Sequence, residues 1–147
     1  MRYLQLLFCL LLSMTGFSQN YYLFVGTYTN GAGKSEGIYV YKFNGETGTA
    51  EFVSVAKGVE NPTYLALAPG IKTLYAVNET GGSKPGEVSA FSFDTAKGQL
   101  TFLNKQPSGG DGPCYVTVDK GNLWVLVGNY SGEIGRASCR ERVYSSV

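Results

Sequence analysis

Short stretches of alternating apolar and polar residues, separated by turn residues, run through most of the chain. One continuous part predicts four strands, at residues 64–68, 73–78, 87–93 and 99–105, which are rich in Val, Tyr, Phe and Leu. Turn residues such as Pro69-Gly70 stand between these strands. No segment has a convincing helical period, so the pattern predicts an all-β fold.

The pattern recurs along the chain with a period of 51 residues. Strand-like segments at residues 25–29, 76–80 and 127–131 fall at this step, and Pro62-Thr63-Tyr64 recurs as Pro113-Cys114-Tyr115. Short strands with a repeat near roughly 50 residues are typical of a β-propeller blade, whereas solenoid coils usually have about half that period. The sequence therefore predicts an array of four-stranded blades.

The phase of the repeat indicates which parts of the blades are present. Region 19–132 begins and ends at a second strand, so we expect strands two to four of blade 1, all of blade 2 and strands one and two of blade 3. This amounts to about two and a half blades of a β-propeller. We expect the missing first strand of blade 1 to come from the C-terminus of a longer chain and to close the ring.

Residues 1–18 have the features of a secretory signal peptide. A basic residue precedes an apolar run at residues 4–12, and the small residues Gly16 and Ser18 follow it. The run is too short to span a bilayer as a helix, and Cys9 lies inside it rather than at its end, which argues against a lipid anchor. A buried N-terminal strand is the alternative. We expect export to the periplasm or out of the cell, without a membrane anchor.

Residues 133–147 depart from the rest of the chain. They abandon the repeat and the aromatic alternation, and they contain arginine, whereas every basic residue of region 19–132 is lysine. The segment resembles the translation of a sequencing adapter, so we expect it to be non-native and to have no fixed place in a blade. A genuine basic tail is the alternative.

Setting both end segments aside leaves a nearly neutral region. Of the 12 basic and 11 acidic residues of the chain, four and two lie in the end segments, which leaves eight lysines and nine carboxylates. This composition offers no basic patch for nucleic acid and no polybasic membrane site. Region 19–132 has no His, and Cys114 is its single thiol, so it can form neither a disulfide nor a Cys-based zinc site. We expect no metal or other cofactor, and we expect Cys114 to be buried as a small hydrophobe.

Antiparallel topology predicts that certain loops share one face of the propeller. The connections from second to third strands, and from a fourth strand to the first strand of the next blade, lie on the same side. The inner strand ends on that side would border a central opening, where propellers usually bind ligands. We therefore predict a small-molecule site lined by Tyr28, Asn61, Asn78, Asn129 and Tyr130.

Five motifs in region 19–132 are shared with a known family. They are the segments LFVGTYT at residues 23–29, EGIYVY at 36–41, ENPTYLAL at 60–67, LYAVNE at 74–79 and GNYSG at 128–132. Together they resemble the opening blades of the seven-bladed lactonase family, whose best-known members are 6-phosphogluconolactonases. The resemblance implies a partial seven-bladed propeller and a chemistry that opens or forms a lactone ring, since the family also includes fungal muconate-lactonizing enzymes.

The resemblance further implies that the complete protein hydrolyses a sugar lactone and that this portion alone is inactive. Such hydrolysis needs a base that activates water and a donor for the developing oxyanion. Family members are thought to use His, Arg and Glu side chains drawn largely from middle blades, and region 19–132 has neither His nor Arg. Glu79 is the one acidic residue at a matching strand end. It is a candidate catalytic base, a candidate positioning residue, or a structural acceptor.

Alternatives apply to the substrate and to the class of function. Phosphorylated sugars are cytosolic in most cells, so an exported enzyme would act on another sugar lactone. A non-catalytic propeller that binds a carbohydrate or a protein at the same face is the alternative to an enzyme. In either case we expect a monomer once the ring is complete.

Overall fold

The computed structural model describes residues 20–31, 33, 35–70, 72–82, 84–131 and 137–138. These residues form β-strands, turns and loops and contain no helix, as the sequence pattern predicted. A search of the described residues for a helix long and apolar enough to cross a membrane finds none. The predicted signal peptide lies outside the described residues.

The first sheet contains three antiparallel strands in sequence order. These are β1 (Asn20–Val25), β2 (Gly37–Asn44) and β3 (Ala50–Lys57). In β2 the apolar side chains of Ile38 and Val40 alternate with partly exposed neighbours, which is the pattern of a strand with one face in a core. We call this sheet blade 1.

The second sheet, blade 2, is the complete four-stranded unit. Its strands are β4 (Leu65–Leu67), β5 (Thr73–Asn78), β6 (Glu87–Asp94) and β7 (Gln99–Pro107), paired antiparallel in that order. The four predicted strands are confirmed, with shifts of one or two residues at their ends. Such shifts are ordinary, because strand ends depend on the hydrogen bonds of each partner strand.

The third sheet, blade 3, contains β8 (Asp111–Val118), β9 (Val125–Ser131) and β10 (Ala137–Ser138). The two-residue β10 pairs antiparallel with β9 at the third-strand position. The expectation that residues from 133 onward have no fixed place in a blade was therefore wrong for Ala137 and Ser138. Backbone groups alone can pair with a sheet edge, so this position requires no aromatic alternation.

The two longest hairpins carry the same irregularity at equivalent places. A register shift falls between Val40 and Tyr41 in blade 1 and between Ala90 and Phe91 in blade 2. Next to each shift an aromatic pair crosses the strands edge to face. The Tyr41 and Phe52 ring centroids lie 5.9 Å apart, and those of Phe91 and Phe102 lie 5.7 Å apart. The repeat therefore extends to its bulges and to its ring pairs.

The core lies between the blades, and β5 contributes to both of its parts. Leu74 and Ala76 pack toward blade 1 together with Ile38, while Tyr75 and Val77 pack toward blade 3. Every residue of β5 is consequently buried, which explains why its middle residues, 74–77, are all apolar or aromatic. A blade buries its faces only against its neighbours, so the middle blade is buried on both sides.

The order of the strands defines an inner and an outer edge. β4 and β8 are the end strands of their sheets and contact each other, whereas β3 and β7 meet at the opposite edge. We call the side formed by β4 and β8 the inner edge. It is the side that would face the centre of a propeller.

Candidate active site at the inner edge

One residue at the same repeat position lies near the end of the second strand of each blade. These residues are Tyr28, Glu79 and Tyr130, at successive steps of 51 residues. The Tyr28 hydroxyl donates a hydrogen bond to Glu79 Oε1 at 2.8 Å. Two of the predicted site residues, which come from different blades, are thus in direct contact.

Both oxygens of the Glu79 carboxylate accept hydrogen bonds from hydroxyl groups. Tyr28 donates to Oε1, and Thr63 Oγ1 donates to Oε2 at 2.6 Å. Thr63 lies just before β4, the innermost strand of blade 2. The carboxylate is therefore held at the inner edge, across the seam between blades 1 and 2.

Asn61 fixes the backbone beneath this carboxylate. Its Nδ2 donates to the Glu79 carbonyl oxygen at 3.1 Å, and the Glu79 N–H donates to the Asn61 carbonyl oxygen at 3.1 Å. Its Oδ1 accepts from the backbone N–H groups of Thr29 and Asn30, both at 3.0 Å. Asn61 has a φ of 43°, in the left-handed region that Asn tolerates better than most residues. The side chain thus joins the loop after β1 to the end of β5.

Asn78 and Asn129 perform equivalent tasks in successive blades. Asn78 Nδ2 donates to the Glu60 carbonyl oxygen at 3.2 Å, and Asn129 Nδ2 donates to the Ser108 carbonyl oxygen at 3.2 Å. Each amide ties the end of a second strand to the segment that enters its blade. Together with Asn61, these predicted substrate-binding residues direct their amide donors into backbone contacts.

Partly exposed aromatic side chains lie just before β4, in β8 and near the end of β9. The Tyr64 and Tyr115 ring centroids lie 4.9 Å apart, and the two side chains are 41% and 46% exposed. Tyr130 is 84% exposed. The predicted site contains Tyr130 but missed Thr63, Tyr64 and Tyr115. The repeat offered a clue, because Tyr64 and Tyr115 are equivalent positions on adjacent inner strands.

Cys114 is exposed, so the expectation that it is buried was wrong. It lies at a register shift between Pro113 and Tyr115, which turns the intervening residue away from the regular alternation of β8. Its Sγ lies 3.7 Å from the Gly128 carbonyl oxygen. Cys114 occupies the repeat position of Thr63, where a thiol replaces a hydroxyl.

The electrostatics of the cluster are set by Glu79. The hydrogen bond to Glu79 is the main cause that raises the pKa of Tyr28, followed by partial burial and by the negative charge of Glu79. The phenol therefore stays protonated and keeps donating to the carboxylate. Within the described part of the chain, no group of three or more His, Cys, Asp or Glu side chains is arranged to hold a metal ion.

A concavity lies between blades 1 and 2, lined by residues of β3, β5, β6, β7 and the segment before β4. It has a volume of about 360 Å³ and combines two exposed lysines with two carboxylates above an aromatic floor. Hydrogen bonds from Asn30 and then Lys84 hold the pKa of Glu60, at its rim, below the ordinary value. We call it the peripheral groove; its lining includes Lys57, Glu60, Asn78, Glu87, Phe102 and Lys105.

Comparison with known proteins places this geometry in a family. The family described as Lactonase, 7-bladed beta-propeller matches residues 22–142. The chain belongs to this lactonase family. Its three sheets are accordingly successive blades of a β-propeller.

Two relatives of this chain are 6-phosphogluconolactonases. The chain is 40% identical to a 6-phosphogluconolactonase of Bacillus subtilis over 112 residues, which cover 76% of this chain and 31% of the relative. It is 34% identical to a 6-phosphogluconolactonase of Formosa agariphila, covering 74% of this chain and 31% of that protein. The chain thus spans about a third of the length of these relatives.

Solved structures of similar sequence share the fold of this chain. A structure from Bacteroides uniformis shares 42% identity with a TM-score of 0.70, covering 77% of this chain and 31% of that one. A periplasmic gluconolactonase of Pseudomonas aeruginosa shares 37% identity with a TM-score of 0.69, covering 77% of this chain and 32% of that one.

Proposed function

We propose that the full-length protein hydrolyses a sugar lactone and that the inner edge described above forms part of its active site. The observation that carries the proposal is the Glu79 carboxylate, held by two hydroxyl groups at the inner edge of a chain 40% identical to a 6-phosphogluconolactonase. Carboxylate, hydroxyl and exposed aromatic groups together are suited to bind a polyhydroxylated ring.

The reaction requires two kinds of group. Water adds to the lactone carbonyl as a base accepts its proton, and the resulting oxyanion is stabilised by hydrogen-bond donors. The ring C–O bond then breaks, and the leaving oxygen takes up a proton. Glu79 is the proposed carboxylate for this site, as base or as positioning residue, and Tyr28 and Tyr130 carry hydroxyl donors. Other blades of the full ring would supply the remaining groups, without a metal.

The enzyme is proposed to be exported, and its proposed substrate is a sugar lactone. Residues 1–18 favour export, and the similarity to a periplasmic gluconolactonase supports the same location. An enzyme in the periplasm would meet unphosphorylated lactones more often than phosphorylated ones. The similarity to 6-phosphogluconolactonases supports the phosphorylated lactone as the second substrate to test.

The test is an assay of the full-length propeller without its signal segment. Glucono-1,5-lactone and its 6-phosphate ester are supplied separately, and acid release is followed with a pH indicator in weak buffer. Both lactones open spontaneously, so an enzyme-free sample is subtracted. We expect saturable hydrolysis that a chelator does not change. Rates equal to the enzyme-free sample for both lactones would overturn the proposal.

A non-catalytic carbohydrate-binding propeller is the second candidate. The exposed rings of Tyr64, Tyr115 and Tyr130 favour it, because such rings stack on sugars without chemistry. Saturable binding of a sugar, together with no turnover of either lactone, would select this function.

A further inference from the structure

We propose that Glu79, Tyr28 and Thr63 form a subsite that binds a hydroxyl group of the sugar ring, and that Glu79 determines substrate affinity rather than acting as the base. If the substrate carries a phosphate, we expect that phosphate to bind at a different part of the central opening. This inference rests on the proposed function and assigns a role to one part of that site.

The geometry leaves the carboxylate able to accept further hydrogen bonds. Among the described residues, each Glu79 oxygen accepts one hydrogen bond, whereas a carboxylate offers about four acceptor positions. The two protein donors come from different blades, so they fix the plane of the carboxylate from two sides. The vacant acceptor positions suit the O–H groups of a sugar.

The surroundings of the carboxylate give a ligand access to it. Glu79 is partly exposed, and Tyr28 beside it is 57% exposed. The half-exposed rings of Tyr64, which follows Thr63 in the chain, and Tyr115 in β8 pack against each other. Apolar ring faces contact the C–H groups of a sugar while a carboxylate accepts from its hydroxyls, and a single sugar ring uses both kinds of contact.

The charges on this arc disfavour a phosphate. None of the ion pairs among the described residues includes Glu79. Lys57 and Lys105 line the peripheral groove instead, and Lys84 pairs with Glu60 at its rim. A fixed negative charge without a cationic partner repels a phosphate at short range. The raised pKa of Tyr28 agrees with a negative environment at this place.

The first experiment separates affinity from turnover. In Glu79→Gln the shape is kept and the charge removed. A hydrogen bond to a charged group is worth about tenfold or more in affinity, so we expect KM to rise about tenfold with kcat within about threefold. The rise should be the same for glucono-1,5-lactone and for its 6-phosphate ester. A large fall in kcat at unchanged KM would identify Glu79 as the base and overturn the inference.

Selectivity supplies a second way to overturn it. If Glu79→Gln improves the phosphorylated lactone relative to the neutral one, Glu79 lies beside the phosphate and the subsite is assigned wrongly. The matched control is Glu36→Gln, which removes an exposed carboxylate paired with Lys57, away from the inner edge. We expect this control to leave both kinetic constants unchanged.

Thr63 tests whether the orientation of Glu79 matters. Thr63→Val keeps the shape and removes the donor to Oε2, whereas Thr63→Ser keeps the donor. We expect Thr63→Val to raise KM severalfold and Thr63→Ser to restore it. Equal KM values in both variants, with unchanged thermal stability, would show that the hydroxyl does not position the carboxylate.

A binding probe keeps the inference testable even if no lactone is hydrolysed. 1,5-Anhydroglucitol has the ring hydroxyls of the lactone but no carbonyl to attack. We expect calorimetry to show binding to the full-length protein, and about tenfold weaker binding to Glu79→Gln. Equal binding by both proteins would overturn the subsite, whatever the outcome of the lactonase assay.

Discussion

Blades 2 and 3 can be compared position by position at the inner edge, because their equivalent residues lie 51 apart. In blade 2, the Thr63 hydroxyl donates to the Glu79 carboxylate. In blade 3, the equivalent residues are Cys114 and Tyr130, and the Tyr130 side chain is 84% exposed. The same two backbone positions thus carry a hydrogen-bonded carboxylate in one blade and a thiol and a phenol in the next.

Other equivalent positions keep both residue and contact. Asn78 and Asn129 each donate to a carbonyl oxygen of the segment that enters their blade. Positions that recur with the same contact build the blade, whereas positions that change chemistry at the inner edge are free to serve a ligand. The difference favours a binding role for Glu79 and a structural role for the two asparagines.

The largest expected effect is a difference in stability between substitutions of Gly26 and Gly128, which occupy the same repeat position in blades 1 and 3. A Cβ on Gly26 would lie 2.1 Å from the Pro62 carbonyl oxygen, whereas a Cβ on Gly128 would lie 3.6 Å from Tyr115 Cβ. We expect Gly26→Ala to lower the free energy of unfolding of the full-length protein by about 3 kcal/mol, because backbone must move. Urea denaturation measures it.

Gly128→Ala is the matched control for that experiment. We expect it to change the free energy of unfolding by less than about 1 kcal/mol, since the added methyl meets only an ordinary contact. Equal losses of unfolding free energy in the two variants would show that the packing around Gly26 is no tighter than the packing around Gly128.

The next effect concerns the loop that enters blade 2. Asn61→Ala removes the acceptor for two backbone N–H groups and the donor to the Glu79 carbonyl oxygen. We expect a loss of about 2 kcal/mol in the free energy of unfolding and a higher KM, since Glu79 loses its backbone support.

Asn122→Ala controls for backbone conformation in the Asn61 experiment. Asn122 also has a left-handed φ, of 53°, but it lies in an exposed turn of blade 3 and donates to the Pro69 carbonyl oxygen. We expect a loss of about 1 kcal/mol and an unchanged KM. If KM rises as much in Asn122→Ala as in Asn61→Ala, a general loss of stability explains the Asn61 variant, and the loss of contacts to the Glu79 backbone does not.

Exchanging the residue types of Thr63 and Cys114, which occupy equivalent positions in blades 2 and 3, should have a smaller effect on KM. A thiol is a weak donor, so Thr63→Cys should weaken the hold on Glu79 and raise KM about threefold. Cys114→Thr places the hydroxyl in blade 3, where no carboxylate is equivalent to Glu79, and should change KM less than twofold. If Cys114→Thr has the larger effect, blade 3 provides the more important part of the site.

The smallest effect distinguishes two hairpin turns by pH. Asp94 accepts hydrogen bonds from the N–H groups of Lys97 and Ala96, which lower its pKa below the ordinary value of an aspartate. Asn44 makes the same contacts in blade 1 without a charge. The stability from Asp94 is therefore present above about pH 4 and is lost as pH falls through its lowered pKa.

Melting temperatures of wild type and Asp94→Asn, measured from pH 6 to pH 2, test this assignment. We expect the wild type to be the more stable at pH 6 and the difference to shrink toward pH 2. A constant difference would show that the charge of Asp94 contributes nothing to the turn.

Strands, turns and repeat could be predicted from the sequence because each depends on neighbours in the chain. Apolar alternation and Pro-Gly turns predicted β5, β6 and β7 nearly to the residue, and the 51-residue step placed the strand ends of each blade on one side. Glu79 was found the same way, as the one acidic residue among equivalent strand ends.

The tertiary structure alone decided what those residues touch. The hydrogen bond from Tyr28 to Glu79 crosses between blades, and the role of Thr63 depends on how closely β4 approaches the end of β5. The exposure of Cys114 follows from a register shift in β8 that no local pattern announced. Periodicity specifies which face of a strand a side chain occupies, but distances between blades are set by packing.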